Sequence, residues 1–161
     1  MTPELRATLQ DVAEAMVSFP RDWWIIGSAG VALHGIEAGT VKDVDLLVEE
    51  GLAGAVLDRL GIVPLDMSPD PLFRSTVFAR WMVPPVPVEV MAGFCVAEAN
   101  VWHPVKPRSR ERVMLGGGAL FVPDRAELLG LFRRFGRPKD AARAAALEAA
   151  GAPPEAGTPA R

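Results

Sequence analysis

Hydrophobic positions in the first third of the chain change from a helical spacing to a strand-like spacing and back. In residues 4–18 they recur every three or four positions, which predicts an amphipathic helix that ends before Pro20. Two short apolar runs, Trp23–Ile26 and Val44–Val48, have the length and composition of buried strands. Residues 52–60 return to a helical pattern and are followed by a glycine. Helices and strands therefore alternate in this part of the chain.

The middle of the chain carries strand signals, and its C-terminal part returns to helices. Prolines punctuate residues 62–92, which predicts edge strands and loops there. Residues 100–118 are compatible with a β-hairpin beside three consecutive glycines, and Asp124 is a suitable helix N-cap. The predicted strands are 62–65, 73–81, 86–91 and 119–122, and the predicted helices are 124–134 and 138–149. This interleaving predicts an α/β or α+β domain.

Composition and charge narrow the class of protein. The 161 residues fit one domain over 1–149, and the Pro- and Gly-rich residues 150–161 predict a disordered tail. No long apolar run predicts a membrane span, and a single cysteine, Cys95, fits a reducing cytoplasm. Residues 1–100 hold 6 basic and 14 acidic side chains, whereas 101–161 hold 11 basic and 6 acidic. This division suits a site for a cation and an anion together, although two solvated faces would produce it too.

Gly27-Ser28 is the first candidate functional element, at the turn from a predicted strand into a predicted short helix. Glycine allows a ligand to approach the backbone closely, and free N–H groups at a helix start favour phosphate. Ser28 is also placed where the N-cap of that helix is expected, with Gly35 at the other end. A plain connector would have the same composition.

Asp43-Val44-Asp45 is the second element, at the start of an otherwise apolar strand. Residues two apart on a strand point to one face, so both carboxylates are expected to project together. Their repulsion and lost hydration favour a divalent cation as the compensating group. In the alternative, Asp43 belongs to the preceding loop and Asp45 faces solvent.

Glu89 is the third element, a lone acid in the apolar segment 86–91. A lone acid in a strand is often simply exposed to solvent. If this strand lies beside the strand of Asp45, however, Glu89 completes a cluster of three carboxylates that can hold magnesium.

The order of these elements resembles the nucleotidyltransferase superfamily that includes DNA polymerase beta. The resemblance rests on Trp24-Ile25-Ile26-Gly27-Ser28, then Asp43-Val44-Asp45-Leu46, then Glu89, and it continues into Gly136-Arg137-Pro138-Lys139-Asp140. Within this superfamily, the chain more specifically resembles small bacterial members: the aminoglycoside and lincosamide nucleotidyltransferases and the nucleotidyltransferases of toxin–antitoxin pairs. The fold that this resemblance implies is a mixed β-sheet flanked by helices, with further helices at the C-terminus.

The resemblance also implies roles for these residues. Asp43 and Asp45 would bind Mg²⁺, and Glu89 would help to bind the metal or act as general base. Gly27 and Ser28 would hold the β- and γ-phosphates of a nucleoside triphosphate. Two further residues, Arg137 and Lys139, would lie near phosphate, or would be the solvated start of a helix.

Two function classes follow from the sequence. The first is a magnesium-dependent nucleotidyltransferase that moves a nucleoside monophosphate from a triphosphate to a hydroxyl of a small molecule or macromolecule. The second is a weak or inactive module of the same fold that binds a partner, as an antitoxin or regulator does. A chain of 161 residues has little room for its own acceptor domain, so a homodimer or a partner protein would complete an acceptor site. The same shortage of further domains argues against polymerase-like DNA binding.

Overall fold

A computed structural model describes residues 1–151, which form helices and strands in the interleaved order that the sequence predicts. The five helices are α1 (Pro3–Ala15), α2 (Gly27–Leu33), α3 (Glu50–Leu60), α4 (Arg125–Phe135) and α5 (Pro138–Gly151). The nine strands are β1 (Trp23–Ile26), β2 (Val44–Val48), β3 (Phe73–Arg74), β4 (Val77–Trp81), β5 (Val88–Ala92), β6 (Cys95–Glu98), β7 (Val101–Pro104), β8 (Glu111–Leu115) and β9 (Gly118–Val122). The predicted α/β class is confirmed.

A four-stranded mixed sheet in the order β1-β2-β5-β4 organises the molecule. Strands β2 and β5 run parallel, whereas β1 and β4 pair antiparallel to them at the two edges. A three-stranded sheet, β3-β6-β7, and a hairpin, β8-β9, complete the β structure. The parallel pairing positions the site, because it places residues 44 positions apart in sequence side by side, such as Asp45 and Glu89.

Alternating side chains of the central sheet feed two hydrophobic cores. Ile25, Val44 and Leu46 point to one face, where they pack with residues of α1, α3 and β9. Trp24 and Leu47 point to the other face and pack with residues of α4 and α5. Carboxylates interrupt only this second face, at one end of β2 and β5, and helix α5 begins beside them.

Three strand predictions are corrected by the structure. Residues 62–65 form no strand and are mostly exposed, although the Leu65 N–H donates to the Phe78 carbonyl at 2.7 Å. The predicted strand 73–81 divides into β3 and β4, which belong to different sheets. The strand predicted from residue 86 starts at Val88, since Pro87 cannot donate to a ladder. Strand β6 was not predicted, because Phe94 to Glu98 lacks a clear alternation.

Helix ends also differ from the predictions, by one to three residues. Helix α1 ends at Ala15 rather than at residue 18. Helix α2 begins at Gly27, so Ile26 takes the N-cap position without any side-chain hydrogen bond. The prediction of Ser28 as N-cap is therefore wrong, and its side chain is buried within the first turn. The first two residues of the predicted 150–161 tail end α5, and the others lie outside the described residues. No helix within residues 1–151 has the length and apolarity to cross a membrane.

The Asp124 N-cap prediction is confirmed, and it can be tested by mutation. The Asp124 carboxylate accepts from the Glu127 N–H at 2.8 Å, at the start of the helix that covers the site face. We expect Asp124→Ala to lower the free energy of unfolding by about 1 kcal/mol, measured by urea denaturation. Asp124→Ser keeps a capping oxygen and should lose much less. Equal losses in both variants would contradict a capping role.

Candidate active site

Three carboxylates come together at one end of β2 and β5. Asp45 lies in β2 directly beside Glu89 in the parallel strand β5, and Ile26 is the partner of Asp45 on the other side. Asp43 lies one residue before β2, as the alternative from the sequence had it, and it lines the same cleft as the other two. The strands of Asp45 and Glu89 are therefore neighbours, which is the condition for a cluster of three carboxylates.

Asp45 has a strongly perturbed environment. Its side chain is half-buried, and burial raises the pKa of Asp45 to about 7, with the negative charges of Asp43 and Glu89 adding to the rise. Arg143 and Arg137 oppose the shift without cancelling it. No hydrogen bond contributes to this shift, so within residues 1–151 the carboxylate has four charged neighbours, two negative and two positive, and no hydrogen-bonding partner. A buried carboxylate in that state favours a proton or a cation.

Glu89, by contrast, has a partner. The Arg80 guanidinium, directly opposite on β4, donates from Nε at 3.1 Å and from Nη2 at 2.9 Å to one oxygen of Glu89. Within the described part of the chain, no three Asp, Glu, His or Cys side chains converge closely enough to hold a metal ion. The three carboxylates thus share one cleft, but Glu89 is turned towards Arg80 rather than towards a common centre.

Gly27 touches Asp45 across the turn from β1 into α2. Its φ of +64° is a left-handed conformation, and a Cβ placed there would lie 2.1 Å from Oδ2 of Asp45. Only glycine satisfies both conditions without moving the carboxylate. Ser28, the next residue, is 3% exposed and lines a neighbouring pocket. The Gly-Ser pair therefore adjoins the carboxylates.

A Gly27→Ala substitution should separate strain from contact. We expect the strain of a left-handed alanine to lower the free energy of unfolding by about 1–2 kcal/mol in Gly27→Ala and in a control, Gly35→Ala. Urea denaturation measures this loss. Gly35 has a φ of +74° with nothing within 4 Å of its missing Cβ. Only Gly27→Ala should lose more than this and also disturb Asp45. Identical losses would mean that the contact with Asp45 has no energetic consequence.

Basic side chains face the carboxylates from the start of α5. Arg137, Lys139 and Arg143 all line the cleft, and Asp140 is fully buried between the two arginines. Arg137 donates from Nε at 2.6 Å and from Nη2 at 3.0 Å to Asp140, and Arg143 approaches it at 3.5 Å. Positive and negative groups therefore form opposite walls of one space.

Two adjoining cavities are lined by the three carboxylates, by Gly27 and Ser28, and by the basic residues of α5. The main cleft, of about 450 Å³, holds the three carboxylates, Gly27, Arg137 and Lys139, together with an apolar wall. That wall comprises Leu65, Met67, Phe73, Phe78, Met91, Phe94, Phe132 and Phe135. The side pocket, of about 490 Å³, contains Ser28 and shares three residues with the main cleft: Asp43, Lys139 and Arg143. Charged groups gather where the two cavities meet.

Sequence reasoning missed three basic residues of this region. Arg143 and Lys139 follow one another at helical spacing on α5, so periodicity could have found Arg143. Lys42 lines the side pocket and directly precedes Asp43. Arg80 carried only a weak signal, its position two residues after Phe78 on one face of β4.

Several solved structures share this architecture, among them proteins described as a nucleotidyltransferase and as an adenylyltransferase. TM1012 from Thermotoga maritima, a predicted nucleotidyltransferase, has a TM-score of 0.72 at 20% identity, covering 88% of this chain and 91% of that one. The antibiotic-resistance factor ANT(2'')-Ia has a TM-score of 0.61 at 11% identity, covering 93% and 85%. The lincosamide adenylyltransferase LnuA, bound to lincomycin, has a TM-score of 0.58 at 12% identity, covering 92% and 97%. The chain has the nucleotidyltransferase fold.

No protein-family profile and no curated protein matches the sequence itself. The structural similarity establishes the nucleotidyltransferase fold. Because the identities are only 11% to 20%, the chemistry is argued from this chain's own residues. The assigned roles of Asp43, Asp45, Glu89, Gly27, Ser28, Arg137 and Lys139 remain predictions.

Proposed function

We propose that this protein transfers a nucleoside monophosphate from a nucleoside triphosphate to a hydroxyl group. One observation carries the proposal: the unpartnered Asp45 carboxylate, with its pKa raised to about 7, faces three cations across a single cleft. A triphosphate bound with a divalent cation would satisfy both walls at once, because it brings negative charge to the cations and positive charge to the carboxylates.

Asp43 and Asp45 fit a magnesium ion by their chemistry. Both offer carboxylate oxygens, the ligands that Mg²⁺ prefers. A cation beside Asp45 would offset the burial, and the repulsion by Asp43 and Glu89, that together raise its pKa. When bound, Mg²⁺ would neutralise charge on the phosphates. Glu89 would join these ligands only by giving up its hydrogen bonds from Arg80.

The remaining predicted residues would bind the nucleotide. Gly27 and Ser28 would approach the phosphates with their backbone. Gly27 has no side chain to keep a ligand away, and it lies next to the Asp45 carboxylate. Arg137 and Lys139 would neutralise phosphate charge from the opposite wall. The apolar, largely aromatic wall of the main cleft offers a surface on which a nucleobase could stack.

Glu89 is the candidate general base. It would accept the proton of the acceptor hydroxyl while that oxygen bonds to the α-phosphorus. The bond between the α-phosphorus and the bridging oxygen breaks, and pyrophosphate leaves. Since Arg80 holds Glu89, the acceptor would need to displace this guanidinium or work beside it.

The acceptor is expected to bind in the main cleft beside Glu89, the candidate general base. Residues 1–151 form one set of packed elements with no separate acceptor domain among them. A homodimer or a partner protein would supply further acceptor contacts.

Calorimetric titration of the protein with ATP, GTP, CTP and UTP tests this proposal. Each titration is performed with Mg²⁺ and repeated in EDTA, and release of pyrophosphate is then followed for the nucleotide that binds. We expect one or more triphosphates to bind in a magnesium-dependent way and to release pyrophosphate when a suitable hydroxyl acceptor is supplied.

The outcomes distinguish the two function classes. Absence of binding by all four triphosphates would overturn the proposal and favour a partner-binding module, as in an antitoxin. Magnesium-dependent binding without turnover across an acceptor screen would favour a nucleotide-binding regulator, which the engagement of Glu89 by Arg80 would explain.

A further inference from the structure

The buried carboxylate of Asp140 has no role in the proposed chemistry, yet it is the most completely enclosed charged group of the region. We propose that Asp140 is a positioning residue that holds the guanidinium groups of Arg137 and Arg143 towards the triphosphate. This inference rests on the proposed function, since it assigns the cations of α5 to the phosphates.

The hydrogen bonds of Asp140 define a fixed frame. One carboxylate oxygen accepts from the backbone N–H of Arg137 at 3.2 Å and from its Nε at 2.6 Å. The other oxygen accepts from Nη2 of Arg137 at 3.0 Å and from Nη1 of Arg143 at 3.5 Å. A planar guanidinium held by two parallel bonds has little rotational freedom. Asp140 therefore orients both arginines from behind.

The charge balance leaves positive charge available to a ligand. A single carboxylate neutralises one of the two guanidiniums, and both arginines line the main cleft. Arg137 also lies over the ring of Phe73 at 4.7 Å, and Arg143 over Phe132 at 5.7 Å. These aromatic rings restrain the arginines from a second side. Pre-oriented cations bind an anion with less loss of side-chain entropy than mobile ones.

A purely structural role is the competing explanation. Asp140 is the third residue of α5, and its bond to the Arg137 N–H is the reciprocal half of a capping box. A cap alone would affect folding and leave ligand affinity unchanged. Lys139 offers the internal comparison, because it lines both cavities and makes no hydrogen bond or ion pair with Asp140.

A mutant cycle on ligand affinity separates these roles. Full-length wild type, Asp140→Asn, Arg137→Gln/Arg143→Gln and the triple variant are titrated calorimetrically with inorganic tripolyphosphate and with the nucleotide that wild type binds, each in Mg²⁺. We expect Asp140→Asn to weaken both affinities about 10- to 100-fold, and to have no further effect when the arginines are already replaced. When Asp140→Asn is combined with Lys139→Gln, the fold-losses in affinity of the two substitutions should instead multiply.

Each result decides the matter. A folded Asp140→Asn that binds within about twofold of wild type, or an equal loss with and without the arginines, would overturn the positioning role. Wild type that binds neither ligand would overturn the proposed function and this inference together. If Asp140→Asn does not fold, Asp140→Glu keeps the charge and displaces the arginines by one methylene. The affinity of Asp140→Glu is then compared in the same way, with and without the two arginines.

Discussion

Replacing Asp45 by asparagine should make this protein more stable at pH 8 in the absence of divalent cations. Folding raises the pKa of Asp45 from 3.8 to about 7, so at pH 8 the folded state carries an ionised carboxylate in an unfavourable place. The shift of about 3 pKa units corresponds to a penalty of up to about 4 kcal/mol. An amide of similar shape carries no charge and avoids that penalty.

The pH dependence has a definite sign. Below about pH 4 the carboxylate is protonated in both states and Asp45 contributes nothing. Between pH 4 and 7 the folded state holds a proton that the unfolded state has released, so stability falls as the pH rises through this window. Above pH 7 the penalty is complete. The stabilisation by Asp45→Asn should therefore be largest at pH 8 and vanish near pH 4.

Thermal unfolding at several pH values, in EDTA and in Mg²⁺, measures this effect. Mg²⁺ should raise the midpoint of wild type at pH 8 and leave that of Asp45→Asn unchanged. Asp58→Asn is a suitable control, because Asp58 is exposed on α3 and this variant keeps Asp45. Its midpoint should follow that of wild type at each pH, in EDTA and in Mg²⁺. A midpoint of Asp45→Asn below that of wild type at pH 8 would show that Asp45 is not destabilising there.

Removing both aspartates should abolish magnesium-dependent binding of the nucleotide. Asp43→Asn/Asp45→Asn leaves the cleft with amide oxygens, which are weaker metal ligands than carboxylates. Because the metal contact is worth several kcal/mol, we expect the triphosphate affinity in Mg²⁺ to fall about a hundredfold or more. Titration in EDTA should show wild type and the double variant to be alike.

Asp66→Asn is the matched control for this second experiment. Asp66 lines the same main cleft, and its replacement removes one negative charge without touching the two predicted ligands. Its affinity should stay near that of wild type or rise slightly, because a negative charge near the phosphates is lost. An equal loss in Asp66→Asn would mean that the total negative charge that attracts Mg²⁺ to the cleft, rather than direct ligation by Asp43 and Asp45, governs binding.

Local signals in the sequence were sufficient to predict several elements of the fold. Strands β1 and β2 were predicted with their observed bounds, because a short apolar run between turn residues needs no distant information. Gly61 ends α3 in a left-handed conformation, and Asp124 caps α4. The pairing of Gly27 with Asp45, in contrast, could be expected only through the resemblance to nucleotidyltransferases.

The sequence by itself determined the α/β class, the turn at Gly27 and the spacing of Asp43 and Asp45 around the first residue of β2, because each depends on residues a few positions apart. Only the tertiary structure decided that β5 lies beside β2, which sets Glu89 next to Asp45. It also decided that Arg80 engages Glu89 from the opposite strand. Strand neighbours follow from how the whole chain packs, and the charge on a buried group depends on those neighbours, so neither can be obtained from local spacing.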